Sequence, residues 1–314
     1  MNNDRIQEIL DLMEEARLDY FLISDPQSIA YCTGYYNDPH ERMFVFMISK
    51  HGNHTLFMND LFYLDHDLDV NIVWHKDGQD AIQTIVDEMH FPGRIGIDKN
   101  WASHFLLDLM KKLPDAKYIN ASPCVDLVRM KKDLQEQVLM IESSKINDAV
   151  MEEIIPFIQE GVTEKQLAKK LDELFFKHHS TCYGAIVAFG KNAADPHHEN
   201  DDTLLRKGDC VLIDMGCVYK GYCSDMTRTF FYEGILEEEI KVYEIVKKAN
   251  EAAEAMIKPG VKLSDIDKCA RKVISDEGYG KYFTHRLGHF IGRDVHEYGD
   301  VSSVNEMEVE EGMI

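Results

Sequence analysis

In KGDCVLIDMGCVYKGYCSDMTRTFFYEG (207–234), CVLIDMG and YCSDMTRTFF read as strands, with VYKGY as the tight turn between them. A hairpin centred between Tyr219 and Lys220 sets Asp214 directly opposite Asp225, on one face, with β-carbons about 4.5–5.5 Å apart. A bulge at Gly221 would shift that register by one. Two ionised carboxylates so placed repel each other, and burying them unpaired is worse still. A shared proton, a nearby arginine such as Arg228, or a divalent metal would compensate. Hard divalent ions take clustered oxygen donors, with imidazole added for manganese, cobalt or zinc. The plain alternative is that one aspartate caps a turn.

Histidines gather in the same half of the chain. FGKNAADPHHEN (189–200) places His197 and His198 in a loop after the strand AIVAFG, and FTHRLGHFIGRDVHEYG (283–299) holds His285, His289 and His296. The spacing of His285 and His289 imitates a helical zinc pair. However, position 286 is arginine where an HExxH motif needs its glutamate, and Gly288 and Gly292 oppose a regular helix. A strand or loop that brings these histidines to the carboxylates is the better expectation.

The elements that position these residues follow from periodicity. The 314 residues suffice for two domains. Up to Ala121, strand patterns at 19–24, 43–50, 54–59, 71–75, 94–99 and 117–121 alternate with helical ones at 4–17, 78–90 and 101–113, implying an α/β domain with a largely buried sheet. A long amphipathic stretch then covers 123–159, as one helix or two with a break near Asp133. It is followed by helices, a β-rich centre (184–232), helices at 236–258 and 264–278, and the Gly- and His-rich segment. Domain boundaries of 1–123 and 124–314 follow. EGVTEKQLAKKLDELF (160–175) parallels PGVKLSDIDKCARKVI (259–274), each with a capping box, Thr163 with Gln166 and Ser264 with Asp267.

Bulk composition excludes several function classes. A formal net charge of −22 disfavours nucleic acid and anionic membranes as partners. No segment is apolar and long enough to span a bilayer, and MNNDRIQEIL does not read as a signal peptide, so a cytoplasmic setting is the default. Seven cysteines, odd in number and without CxxC, fit reduced thiols.

Taken together, AFGKNAADPHH, GDCVLIDMG, GYCSDMTRTFF and HRLGHFIGRDVHE resemble the Xaa-Pro dipeptidase (prolidase) and aminopeptidase P family of metallopeptidases; DPQSIAYCTGYYND is similar to the family's N-terminal domain. The resemblance implies an α/β creatinase-N-like domain followed by an α+β pita-bread (creatinase/aminopeptidase-like) catalytic domain. It implies two divalent ions, with manganese first and cobalt or zinc possible, bound by Asp214, Asp225 and His289. A metal-bridging hydroxide would attack the scissile carbonyl, with His197 assisting there and His285 and His296 lining the proline side. Proline-containing dipeptides or short peptides are the implied substrates, and a homodimer the implied assembly. The family's ligand set also has two glutamates on strands later than VEVEEGMI, where these 314 residues stop. The expectation is therefore a catalytic domain without its last strands, an incomplete metal site, and weak metal binding or none. Other readings are aminopeptidase P activity on longer peptides, a non-catalytic pita-bread module that binds peptides or proteins, and a creatinase-like, metal-free hydrolase, which should lack both aspartates.

Overall fold

The computed structural model describes residues 1–64, 66–90 and 92–314, in two compact units, Met1–Arg129 and Met130–Ile314. In the first, α1 (Asn3–Glu15), β1 (Tyr20–Ile23), α2 (Pro26–Thr33), β2 (Val45–Ser49), β3 (Thr55–Asn59), β4 (Asn71–His75), α3 (Ala81–Glu88), β5 (Arg94–Ile97), α4 (Ser103–Lys112), β6 (Lys117–Asn120) and α5 (Ser122–Met130) follow in order. One mixed sheet, β4-β3-β2-β1-β5-β6, results. The central strands β1, β2 and β3 are buried on both faces, which explains their unbroken apolar runs. Phe21, Phe46 and Leu56 enter one core; Leu22, Val45 and Phe57 enter the other. Cys124, Val125 and Val128 of α5 pack into the first of these cores, so the chain divides after Arg129, a few residues beyond the boundary its pattern suggested.

Asp19, just before β1, ties together the ends of three neighbouring central strands, β2, β1 and β5. Its carboxylate accepts from the backbone N–H groups of Gly93 (2.9 Å) and Arg94 (2.7 Å) and pairs with Lys50. Burial pushes its pKa up, but Lys50 and the two amides outweigh that and hold it below the usual carboxylate range. The Asp19→Ala variant is expected to lose about 1.5–3 kcal/mol at neutral pH. Because the folded pKa is depressed, this contribution is present above the unfolded pKa and disappears as pH falls through the folded one. Urea unfolding of variant and wild type should therefore converge between about pH 5 and pH 2.

The second unit opens with α6 (Leu134–Ile154), begun by a capping box of Asp133 and Glu136, so the break falls where the sequence placed it. Then come α7 (Glu164–Lys177), β7 (Thr181–Cys182), β8 (Ile186–Phe189), β9 (Cys210–Met215), β10 (Cys217–Tyr219), β11 (Tyr222–Cys223), β12 (Met226–Phe231), α8 (Glu237–Glu254), α9 (Leu263–Asp276), β13 (Gly288–Phe290) and β14 (Glu297–Val301). Two three-stranded sheets, β12-β9-β8 and β11-β10-β7, and the pair β13-β14 carry the chemistry-bearing residues. Leu167, Leu171 and Phe175 of α7 pack with Val187, Val211 and Ile213 of the first of these sheets. Among the described residues no helix is long and apolar enough to cross a membrane, and all seven cysteines are free thiols.

The capping box at Thr163 and Gln166 forms, but its counterpart does not. The N-cap of helix α9 falls two residues earlier than that box implies, at Lys262, so Ser264 lies inside the first turn, donating its hydroxyl to Glu306. Asp267 is fully buried and pairs with Arg271 instead.

Candidate metal centre

The hairpin that carries the two aspartates turns one residue later than its sequence suggests. Lys220 and Gly221 both take positive φ, 49° and 83°, the signature of a two-residue type I′ turn. Tyr219 therefore pairs with Tyr222, Val218 with Cys223 and, farther out, Met215 with Met226. The residue opposite Asp214 is Thr227, not Asp225. Asp225 lies two residues before Thr227, so the two aspartates are diagonal neighbours, a relation that spans roughly 7–8 Å between α-carbons. Arg228, the suggested neutraliser, alternates to the other face and donates to the Thr227 carbonyl.

Asp214 accepts from Thr227 Oγ1 at 2.6 Å. Burial, and then Asp225 nearby, push its carboxyl above the usual range, against the pull of the Thr227 hydroxyl and His289. Among the described residues no lysine or arginine pairs with either aspartate. His289, on β13, supplies the third group. Its Nδ1 is 3.1 Å from the Phe290 carbonyl oxygen, which can only accept, so Nδ1 carries the proton. In the neutral ring Nε2 is then bare, and it lies 3.4 Å from Asp225 Oδ2. A lone pair facing a carboxylate calls for a proton or a cation between them. The contact with Asp225 holds the His289 pKa up, against burial. An imidazole oriented by a backbone carbonyl, beside two carboxylates, is a donor set that fits a divalent cation.

These groups line one cavity of about 1360 Å³ within this unit. His197, His285 and His296 line it too, as do Arg286, Leu212, Ile186 and Ile314, but among the described residues no glutamate does. The His296 ring lies tilted against that of His289, with centroids 4.3 Å apart, and burial and the His289 charge push its pKa down. His285 Nδ1 faces the Arg286 carbonyl at 2.6 Å. The structure thus brings together Asp214, Asp225, His197, His285, His289 and His296, but His198, expected to join them, turns instead to Glu164. None lies on a helix, and the zinc-pair geometry is absent.

Sequence reasoning passed over several neighbours. Tyr183 donates its hydroxyl to the Ser224 carbonyl at 2.7 Å, next to Asp225; burial and the charge of Asp225 push its pKa far up. A β-carbon at Gly216 would fall 1.8 Å from that hydroxyl, so the strand needs glycine there. Lys132 and Glu297 form a buried ion pair beside His296. A second cluster, Glu164, His198 and Asp201, has ligand-type atoms within 4.8 Å of one another and could hold a cation by composition. The spacing of these groups along the chain gave no signal, because their partners are far apart in sequence.

Comparison with known proteins bears on this geometry. Residues 138–314 match the family described as Metallopeptidase family M24, and residues 5–131 match the Creatinase/Prolidase N-terminal domain. An uncharacterized peptidase of Staphylococcus aureus is 33% identical over 319 residues, covering 99% of this chain and 89% of the relative. The crystal structure of a dipeptidase from Pyrococcus horikoshii superposes with a TM-score of 0.90 at 34% identity, covering 98% of this chain and 88% of that one. An Xaa-Pro dipeptidase from Bacillus anthracis gives 0.90 at 27% identity, covering 99% and 87%.

Proposed function

The chain belongs to metallopeptidase family M24, with a creatinase/prolidase N-terminal domain before a pita-bread catalytic domain, and from that membership we propose that it hydrolyses Xaa-Pro bonds in dipeptides in a metal-dependent reaction. The observation that carries the reading is the convergence of Asp214, Asp225 and His289, with no lysine or arginine among the described residues paired to either aspartate. These three residues would hold the metal. When bound, a divalent ion there supplies Lewis-acid polarisation of the carbonyl and lowers the pKa of water. Manganese, a homodimer and a cytoplasmic setting go with the same reading. Turnover should be lost in chelator and return with added metal.

The rest of the cavity matches the substrate. An Xaa-Pro amide has no N–H, so its recognition rests on the shape around the ring and on the carbonyl. In this reading His197, on the cavity wall, would donate a hydrogen bond where oxyanion charge develops. His285 and His296 form the wall against the proline ring. Arg286, between His285 and His289 in that wall, suits a free carboxylate and so favours dipeptides over longer peptides. The test is a panel at saturating manganese: an Xaa-Pro dipeptide, the same dipeptide extended by one residue, and a dipeptide without proline. The Xaa-Pro dipeptide is expected to be cleaved at least about tenfold faster than either of the others, a difference of ~1.4 kcal/mol in transition-state binding. Faster cleavage of the extended peptide would assign aminopeptidase activity instead. Equal cleavage of the non-proline dipeptide would remove the proline specificity.

A further inference from the structure

Glu164 is the first residue of α7 and its side chain is fully buried. Both carboxylate oxygens are saturated by nitrogen donors. Oε1 accepts from the Phe189 backbone N–H at 2.8 Å and the Asn192 side-chain amide at 2.9 Å. Oε2 accepts from His198 Nε2 at 2.6 Å and the Asp201 backbone N–H at 3.0 Å. The helix N-terminus favours the negative charge, and hydrogen bonds to an ionised acceptor are the stronger kind. A cation at this cluster would have to displace donors already in place, so its composition is misleading. The four donors all come from one segment, 189–201. Between Asn192 and His198 that segment presents Ala193, Asp195, Pro196 and His197 to the cavity. Among the described residues, His197 has only a local tie of its own, its backbone N–H donating to Asp195 at 3.0 Å.

We propose that Glu164 is a positioning residue for His197, holding both ends of the loop that delivers the imidazole to the cavity. The consequence for turnover rests on the peptidase reading; the hold on the loop does not. A displacement of about 1 Å in such a group can cost 10²-fold in rate. Glu164→Gln puts an amide N–H against the Asp201 N–H and breaks the pattern on one side.

The experiment combines Glu164→Gln, His197→Gln and the double variant, assayed on an Xaa-Pro dipeptide at saturating manganese, with hydrogen exchange on each protein. Glu164→Gln is expected to lower kcat about 10–100-fold. KM and manganese affinity should stay within about twofold, and the added loss in the His197→Gln background should be under about twofold. Exchange across 189–201 should quicken at least about tenfold, while β9 stays protected. If Glu164→Gln folds poorly, His198→Ala should reproduce the kcat loss, and His198→Gln, whose amide still reaches Oε2, should restore most of it. Full additivity in the double variant, or unchanged exchange across 189–201, would overturn the proposal. So would loss of a manganese ion bound at the cluster itself, which would make it a cation site. If wild type fails to cleave the dipeptide, the peptidase reading fails and the exchange result alone decides whether Glu164 holds the loop.

Discussion

Asp225→Asn is expected to lower manganese affinity by more than about 100-fold and to remove hydrolysis of Xaa-Pro dipeptides. Loss of even an outer partner of a metal ligand typically costs 10–100-fold, and Asp225 would be a ligand itself. The substitution removes a charge and also reverses polarity at the contact. The asparagine amide can donate to His289 Nε2, which now faces Asp225 Oδ2 at 3.4 Å. That bond would satisfy the imidazole and leave the cation nothing to replace. Without metal, Asp225 favours a proton on His289 on one side and faces the raised Asp214 carboxyl on the other, so the substitution gives up one favourable contact and relieves one unfavourable one. The asparagine variant should therefore stay within about 1 kcal/mol of wild type in chelator. Calorimetric titration with manganese and thermal unfolding in EDTA check both halves. Unchanged manganese affinity in the variant would remove Asp225 from the metal centre.

Lys132→Met should destabilise the fold by about 3–5 kcal/mol, the usual consequence of stripping one partner from a buried ion pair. The Lys132 and Glu297 side chains are 1% and 4% exposed, so neither charge can turn to water for compensation, and Nζ lies 2.9 Å from Oε2. Glu297 also accepts from the Arg293 N–H at 2.8 Å, which fixes the turn leading to His296. Replacing both residues, Lys132→Met with Glu297→Gln, should cost less than the sum of the single changes, because the stranded charge goes with its partner. Urea unfolding of the two single variants and the double variant measures this. A single-variant loss within 1 kcal/mol would mean that the pair contributes little to the fold.

How much of this was legible follows from how local each determinant is. Strands β1 to β6 announce themselves as apolar runs between turn residues, and each forms within the pattern's span. The six candidate site residues were legible because their motifs sit in short glycine-flanked segments. The register was not, since it hangs on the backbone of Lys220 and Gly221. A lysine with positive φ at the first turn position departs from the usual Asn, Asp or Gly, so YKGY invites a centre one residue too early. Glu164 was hidden in plain view: the capping box of Thr163 and Gln166 accounts for its neighbours and says nothing of the loop it holds. Ser264 shows the converse, a capping pattern overridden when the Glu306 carboxylate takes its hydroxyl. Lys132 and Glu297 stand 165 residues apart, a pairing that no local pattern encodes.

The most direct measurement is hydrolysis of an Xaa-Pro dipeptide by the EDTA-stripped protein, followed as manganese is added back to wild type and to Asp225→Asn. Cleavage that is absent in chelator, returns with manganese in wild type and stays absent in the variant is the expected result. Cleavage at the same rate in EDTA, or in the variant, would contradict a metal centre built on Asp214, Asp225 and His289.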